Sequence, residues 1–255
     1  MEPLMARRFT TAFLITIVVS AGCTSSQGFN RSAMSETLIW TPPSAQEKQL
    51  PTSRLSTPFH LAVFFIQRMM TPGASVQPVD WRSSDGDALL RWLTPLQDEH
   101  ILADTFVLID PTIRGEHVEE IKQAAARYGA DAVLLVDGST AIDRYNNGYA
   151  SLYPTVLGAY LAPGTVSHAL VMISGSLWDV RSDWHAPTET VEGNSKAVGP
   201  ALLVEDSTAI VDAKEAALEA FGKRFAEQIW ILSESLPRTQ FYSPRVKIQE
   251  NAKQE

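Results

Sequence analysis

Glu116-His-Val-Glu-Glu-Ile-Lys-Gln-Ala-Ala-Ala-Arg-Tyr-Gly-Ala-Asp-Ala-Val-Leu-Leu-Val136 is the stretch that sets the fold class. Val118, Ile121, Ala125 and Tyr128 recur at spacings of 3, 4 and 3, which puts them on one face of a helix over Glu116–Tyr128. Glu119, Glu120, Lys122 and Arg127 fall elsewhere on it. Gly129 stands where a helix end calls for a left-handed residue. Ala132–Val136 follows at once, five apolar residues without alternation, as in a strand buried on both faces. A helix feeding directly into such a strand is one half of a βα unit.

Upstream, the same signature appears twice. His60–Gln67 is almost continuously apolar, and Phe106-Val-Leu-Ile109 is a short apolar run stopped by Asp110-Pro111. Between them, Met69–Gly86 reads as a loop. A helix then carries Leu89, Leu90, Trp92, Leu93 and Leu96, with Ser84 or Asp85 as its cap and Pro95 near its end. Three buried strands separated by two helices make a βαβαβ order, which implies parallel pairing. Asp137-Gly138-Ser139, just past the third strand, reads as a turn.

Downstream the pattern changes. Val166–Val180 is a long strand candidate and Thr188–Lys196 its antiparallel partner, joined through Arg181-Ser-Asp-Trp-His185. Ser207 or Thr208 caps a final helix reaching about Ser233, with Val211, Leu218, Phe221, Phe225, Ile229 and Leu232 as its apolar stripe and Lys214 off it. The expected fold class is therefore α/β (α+β). It is one domain over residues 58–235, with a mixed sheet in two or three layers: βαβαβ, an antiparallel hairpin, then a long C-terminal helix. Residues 236–255 read as a polar, disordered tail.

The N-terminus gives the address. Arg7 and Arg8 precede the uncharged run Phe9–Ser20, which ends in small residues before Cys23, the only cysteine of the 255 residues. This is a secretory signal peptide over residues 1–22, too short in its apolar part to span a bilayer. Ala21-Gly22-Cys23 resembles the lipobox of bacterial lipoproteins. That resemblance implies cleavage between Gly22 and Cys23, diacylglyceryl attachment to Cys23 and acylation of the new N-terminus. Thr24 in place of Asp implies an outer-membrane address with the protein on the periplasmic face. Several acyl chains anchor stably where one does not. Residues 23–57, rich in Ser, Thr, Pro and Gln, read as the lipidated N-terminus and a flexible tether, with Leu38-Ile39-Trp40 as an apolar island suited to an edge strand.

Removal of Glu2, Arg7 and Arg8 takes the formal charge from −8 to about −9. An acidic chain does not suit nucleic acid as a partner. With Cys23 acylated, no thiol remains for disulfides or catalysis. The five histidines (His60, His100, His117, His168, His185) lie in different segments without a ligand-pair spacing. No Walker A loop, G-x-S-x-G or G-x-G-x-x-G occurs. No catalytic residues, no cofactor and no metal are expected.

Tyr145–Gly164 is the segment that the fold does not explain. Two readings stand: a loop laid over the sheet edge with its aromatics in the core, or an apolar, tyrosine-rich partner surface. In the second reading Tyr145, Tyr149, Tyr153, Leu157 and Tyr160, with Trp184 of the hairpin tip, make the contact.

The order of elements, with Ile121–Val136 and Gly175-Ser-Leu-Trp-Asp-Val-Arg181 as its carriers, resembles a group of periplasmic α/β lipoprotein domains. That group includes the curli-secretion lipoprotein, the penicillin-binding-protein activator lipoproteins and the N-terminal domain of the Tol translocation protein. Within it the chain is similar to the rhombotarget lipoproteins from about Phe59 to Leu232. Val246–Glu255 lacks the glycine-rich, apolar, basic signal of rhomboid-type sortase substrates, so that processing is not carried over. The resemblance implies a non-enzymatic, lipid-anchored accessory that binds or assembles envelope proteins. A self-assembling ring or secretion-pore component, a homo-oligomer like the curli-secretion lipoprotein, is the alternative, and a hydrolase ranks third.

Overall fold

A computed structural model describes residues 25–38, 55–109, 113 and 117–238. Among these residues six strands form one mixed sheet: β1 (Phe59–Phe65), β2 (Val76–Pro78), β3 (Leu102–Val107), β4 (Ala132–Asn146), β5 (Thr165–Asp179) and β6 (Glu189–Gly199). The order is β3-β1-β4-β5-β6, with β2 added against the outer part of β4. As expected from the βαβαβ reading, β1 pairs parallel to both β3 and β4, with Leu61 opposite Ala132 and Val63 opposite Leu134. β5 pairs antiparallel to β4 along its whole length, from Ala132↔Asp179 to Asn146↔Thr165, and antiparallel to β6.

The helices among the described residues are α1 (Arg31–Thr37), α2 (Ser83–Asp98), α3 (Val118–Arg127), α4 (Val156–Leu161) and α5 (Asp206–Ser235), with a 3₁₀ turn at Gly148–Leu152. Alternation along β1 divides the core. Leu61, Val63 and Phe65 face α2 and α5, where Leu89, Leu93, Phe221 and Phe225 complete the larger cluster. Ala62, Phe64 and Ile66 face α3, packing on Ile121, Ala124 and Ala125. The inner half of the sheet is thus a three-layer sandwich.

Several local expectations are corrected. β3 begins at Leu102 rather than Phe106, because it is an edge strand whose Ala103 and Asp104 face water and break the apolar run. Asp137-Gly138-Ser139 is no turn. β4 continues through it to Asn146, and Asp137 and Ser139 are buried mid-strand. Arg68 donates to the Asp137 carboxylate at 2.6 Å, which lets that charge sit inside. Residues 76–78 of the expected loop pair with β4 as β2.

Tyr128, placed on the buried face of α3, is 61% exposed, whereas Lys122 is only 4% exposed. Its ammonium donates to the Ser182 carbonyl at 2.8 Å and to Glu119 at 3.2 Å, fastening the β5–β6 connection to α3. On α5, Lys214 is buried instead of Val211 and donates to Asp85 at 2.6 Å. Ala213 and Ala217 allow α5 to lie close on β6: a Cβ at Gly193 would stand 2.3 Å from the Ala213 carbonyl oxygen. Of the stretch expected as a tail, Pro237 accepts from the Thr57 amide at 3.0 Å. Residues 239–255 lie outside the described residues.

Candidate functional site

β4 and β5 run well past the inner sheet, and their outer halves need a second cover on the α3 side. Residues 25–38 supply it. Asn30 caps α1 by accepting from the Ala33 amide at 3.0 Å. Met34 and Leu38, four residues apart, then bury against Ala141, Leu170 and Met172. Polar bonds fix the segment along its length. Ser139 Oγ donates to the Met34 carbonyl at 3.2 Å, and Arg68 donates to the Thr37 carbonyl. Arg31 reaches Glu192 of β6 at 2.9 Å.

The N-terminal end of this strap is held by one carboxylate. Asp143 accepts from the Ser26 hydroxyl, from the Gly28 amide at 3.0 Å and from the Gln27 amide at 3.2 Å. Burial alone would raise the Asp143 carboxyl. The three strap donors, with His168 nearby, outweigh it and hold the group below its ordinary value. His168, opposite Asp143 on β5, meets Phe29 edge-on at 4.7 Å. Burial pushes the His168 imidazole down, Lys196 and Arg31 push it further, and Asp143 opposes them. The expected tether is thus docked at residues 25–38, and the apolar island contributes Leu38 as the end of a helix rather than an edge strand. Ile39 and Trp40 lie outside the described residues.

The strap ends beside an apolar cap. Between β4 and β5 the chain folds into the 3₁₀ turn and α4. Tyr153 turns inward, its hydroxyl 2.8 Å from Thr165 Oγ1, and Tyr145 is half-buried as part of β4. Tyr149, Leu152, Val156, Leu157, Tyr160 and Leu161 point outward, with Val156 and Leu157 79% and 72% exposed. The end of β6 and the turn into α5 add exposed Val198, Leu202 and Leu203 at the same end, since Gly199 pairs with Thr165. The two readings of Tyr145–Gly164 are therefore divided by residue: Tyr145 and Tyr153 support the fold, while Tyr149, Leu157 and Tyr160 face outward.

Trp184 is not with them. It lies alongside the other end of β5, where its carbonyl accepts from the Asp179 amide, roughly 45 Å away at about 3.3 Å per residue over the strand. There Leu177, Trp184, Ala186, Phe225, Ile229 and Leu232 line an open apolar groove of about 350 Å³ between the β5–β6 connection and the last turns of α5. Trp230 and Ile231 are exposed alongside it. Sequence reading listed Phe225, Ile229 and Leu232 only as a core stripe. Trp230-Ile231, two large apolar residues between the stripe positions Ile229 and Leu232, was the available signal for a groove.

Gly22 and Cys23 lie outside the described residues. The five histidines are spread over the fold: His60 pairs with Asp131 at 3.1 Å, and His185 stacks on Trp178 at 4.4 Å. Among the described residues no group of three or more His, Cys, Asp or Glu is placed to hold a metal ion, and no helix is long and apolar enough to cross a membrane.

No family model and no curated protein matches the chain. Among solved structures it is similar to a neuraminyllactose-binding hemagglutinin homolog from Helicobacter pylori, at 14% identity and a TM-score of 0.37, over 72% of this chain and 95% of that one. It is also similar to a minor lipoprotein from Acinetobacter baumannii, at 10% identity and a TM-score of 0.32, over 73% and 99% of the two chains. A third is the lipoprotein GNA1162 from Neisseria meningitidis, at 13% identity and a TM-score of 0.27, over 68% and 99%. Two of the three are lipoproteins by name. None of these likenesses assigns this chain an activity, a ligand or a partner.

Proposed function

We propose that this chain is a non-catalytic accessory of the bacterial envelope. Residues 1–22 are its signal peptide, and acyl chains on Cys23 hold it at the periplasmic face of the outer membrane. It binds an apolar segment of another envelope protein in the groove beside Trp184. Its grouping with the rhombotarget lipoproteins belongs to the same proposal and rests on Ile121–Val136 and Gly175–Arg181.

The carrying observation is the separation of the two ends. Ser26, three residues from Cys23, is pinned to Asp143 near the cap, while the groove opens at the far end of β5 and α5. A protein attached at the first end presents the second to the aqueous space. The groove has the dimensions and apolar lining of a ligand or peptide site, flanked by Trp230, a residue type favoured at binding hot spots.

A photo-crosslinking amino acid at Ile231 of the full-length protein tests this in cells. A single heteromeric adduct, identified by mass spectrometry and lost on adding Leu232→Asp, is the expected result. Adducts confined to a second copy of the chain would favour self-assembly instead. No adduct at Ile231 would remove the groove as a docking site.

A further inference from the structure

We propose that the apolar cap formed by the β4–β5 and β6–α5 connections sits in the interfacial layer of the same bilayer that holds the acyl chains. This rests on the reading that Cys23 is acylated.

The first ground is reach. Ser26 is hydrogen-bonded to Asp143, and three residues of chain extend at most about 11 Å, so Cys23 stays within that distance of Ser26. Asp143 is three residues from Asn146, where β4 gives way to the cap, about 10 Å along the strand. An acyl anchor at Cys23 therefore holds this end of the molecule against the bilayer, not the groove end.

The second ground is composition. Residues 145–164 contain no Asp, Glu, Lys, Arg or His, in a chain that is 20% charged. Val198–Val204 contains none either, and charge resumes at Arg144 on one side and at Glu205 on the other. Of the four tyrosines in residues 145–164, Tyr149 and Tyr160 face outward, 62% and 50% exposed. Tyrosine, with an apolar ring and a polar tip, is enriched where hydrocarbon meets headgroups.

The third ground is the exposure pattern. Of the seventeen exposed large hydrophobic side chains among the described residues, nine belong to this cap. In α4 only Gly158 is buried, and Val156, Leu157, Tyr160 and Leu161 all face outward. A helix apolar on every side has no reason to stand in water. The net acidic chain gains nothing from anionic lipid, so the contact is one of apolar insertion, and neutral lipid is the right probe.

Once Cys23 is acylated, a cysteine introduced elsewhere is the only free thiol, which permits a direct test. The full-length protein carrying Leu157→Cys, and separately Ile231→Cys, is purified in detergent and its mass measured for acylation. Each is labelled with an environment-sensitive fluorophore and reconstituted into phosphatidylcholine vesicles containing a shallow spin-labelled lipid. The expected result is a blue-shifted probe at Leu157, quenched several-fold more strongly than the probe at Ile231. An acylated, vesicle-bound protein whose Leu157 probe is as water-exposed as its Ile231 probe would overturn the proposal and leave the anchor intact. Shielding at Leu157 that appears only with a second envelope protein would overturn it in favour of a protein contact. A mass without acyl groups would refute the anchor itself, and the proposal with it.

Discussion

Asp143→Asn isolates the bond between the strap and the sheet. In the parent, one carboxylate oxygen takes the Ser26 hydroxyl and the Gly28 amide, and the other takes the Gln27 amide. An asparagine of the same shape keeps one oxygen. Turned to serve Ser26 and Gly28, it presents its own NH₂ to the Gln27 amide, so one bond becomes a donor–donor clash and two lose their charge. Hydrogen bonds to charged groups are worth about 1.5–3 kcal/mol each and neutral ones about 1. Partial exposure of the cluster lowers the sum, leaving a loss of about 2 kcal/mol in strap docking. That corresponds to about a 30-fold rise in the undocked population. Hydrogen exchange reads it directly: the Gln27, Gly28, Met34 and Leu38 amides should exchange faster by that factor, and trypsin should cut after Arg31 correspondingly sooner. The amides of Leu134 and Val171, inside the sheet, should not change. Strap exchange within twofold of the parent would refute the assignment of Asp143 as the clamp. An equal rise in the core amides would show that Asp143 supports the whole fold instead.

Acidification should act in two steps. The His168 proton affinity is depressed in the fold, so its stabilising contribution is complete above about pH 6.5 and declines as pH falls below that value. Asp143 is likewise depressed, so its contribution is present above about pH 3.9 and disappears as pH falls through its lower folded value; strap exchange followed from pH 8 to pH 3 should show both. Lys214→Met strands the Asp85 carboxylate in the core and should cost about 3–5 kcal/mol, seen as a lower denaturant midpoint, with Lys214→Met/Asp85→Ala costing less than the sum of the single changes. Gly193→Ala drives a methyl into the α5 backbone, 2.3 Å from the Ala213 carbonyl oxygen and 2.4 Å from the Ala217 amide nitrogen. It should destabilise by about 3 kcal/mol, measured by thermal unfolding.

The inner half of the sheet was legible because burial on both faces leaves continuous apolar runs, as in Leu61–Phe65 and Ala132–Val136. Helix α3 was legible for the complementary reason: one apolar face ended by a residue held at φ +83°, Gly129. The outer half was not. Its cover is a short segment of polar composition whose two apolar side chains, Met34 and Leu38, are too few to announce a helix. Of the polar residues beneath it, Asp137 and Ser139 looked like a turn and Asp143 gave no signal at all, because their partners Arg68, Met34 and Ser26 arrive from up to 117 positions away. Lys122 and Lys214 misled in the same way: a lysine reads as solvated until the fold delivers Ser182 or Asp85 to its ammonium. Residues 145–164 stood out by composition with core and surface readings both open, and Val198–Val204 did not stand out; inward Tyr153 and outward Tyr149 are told apart only by Thr165, which receives one of them.

The strap also decides what kind of anchor the N-terminus makes. With Ser26 docked, a lipid on Cys23 stays within about 11 Å of the clamp, and the cap must lie where the anchor lies. With the strap released, residues 24–55 separate Cys23 from the sheet by a contour of up to about 110 Å, and nothing in that length requires the cap to touch a bilayer. The contact of Leu157 with lipid should therefore depend on Asp143, although the two share no hydrogen bond. In the reconstituted, acylated protein, adding Asp143→Asn to Leu157→Cys should weaken quenching at the cap in proportion to the undocked fraction that hydrogen exchange reports, while the protein remains on the vesicle. Undiminished quenching despite a strap shown by hydrogen exchange to be open would mean that the cap holds the bilayer by its own apolar surface, with the clamp serving only to cover β4 and β5.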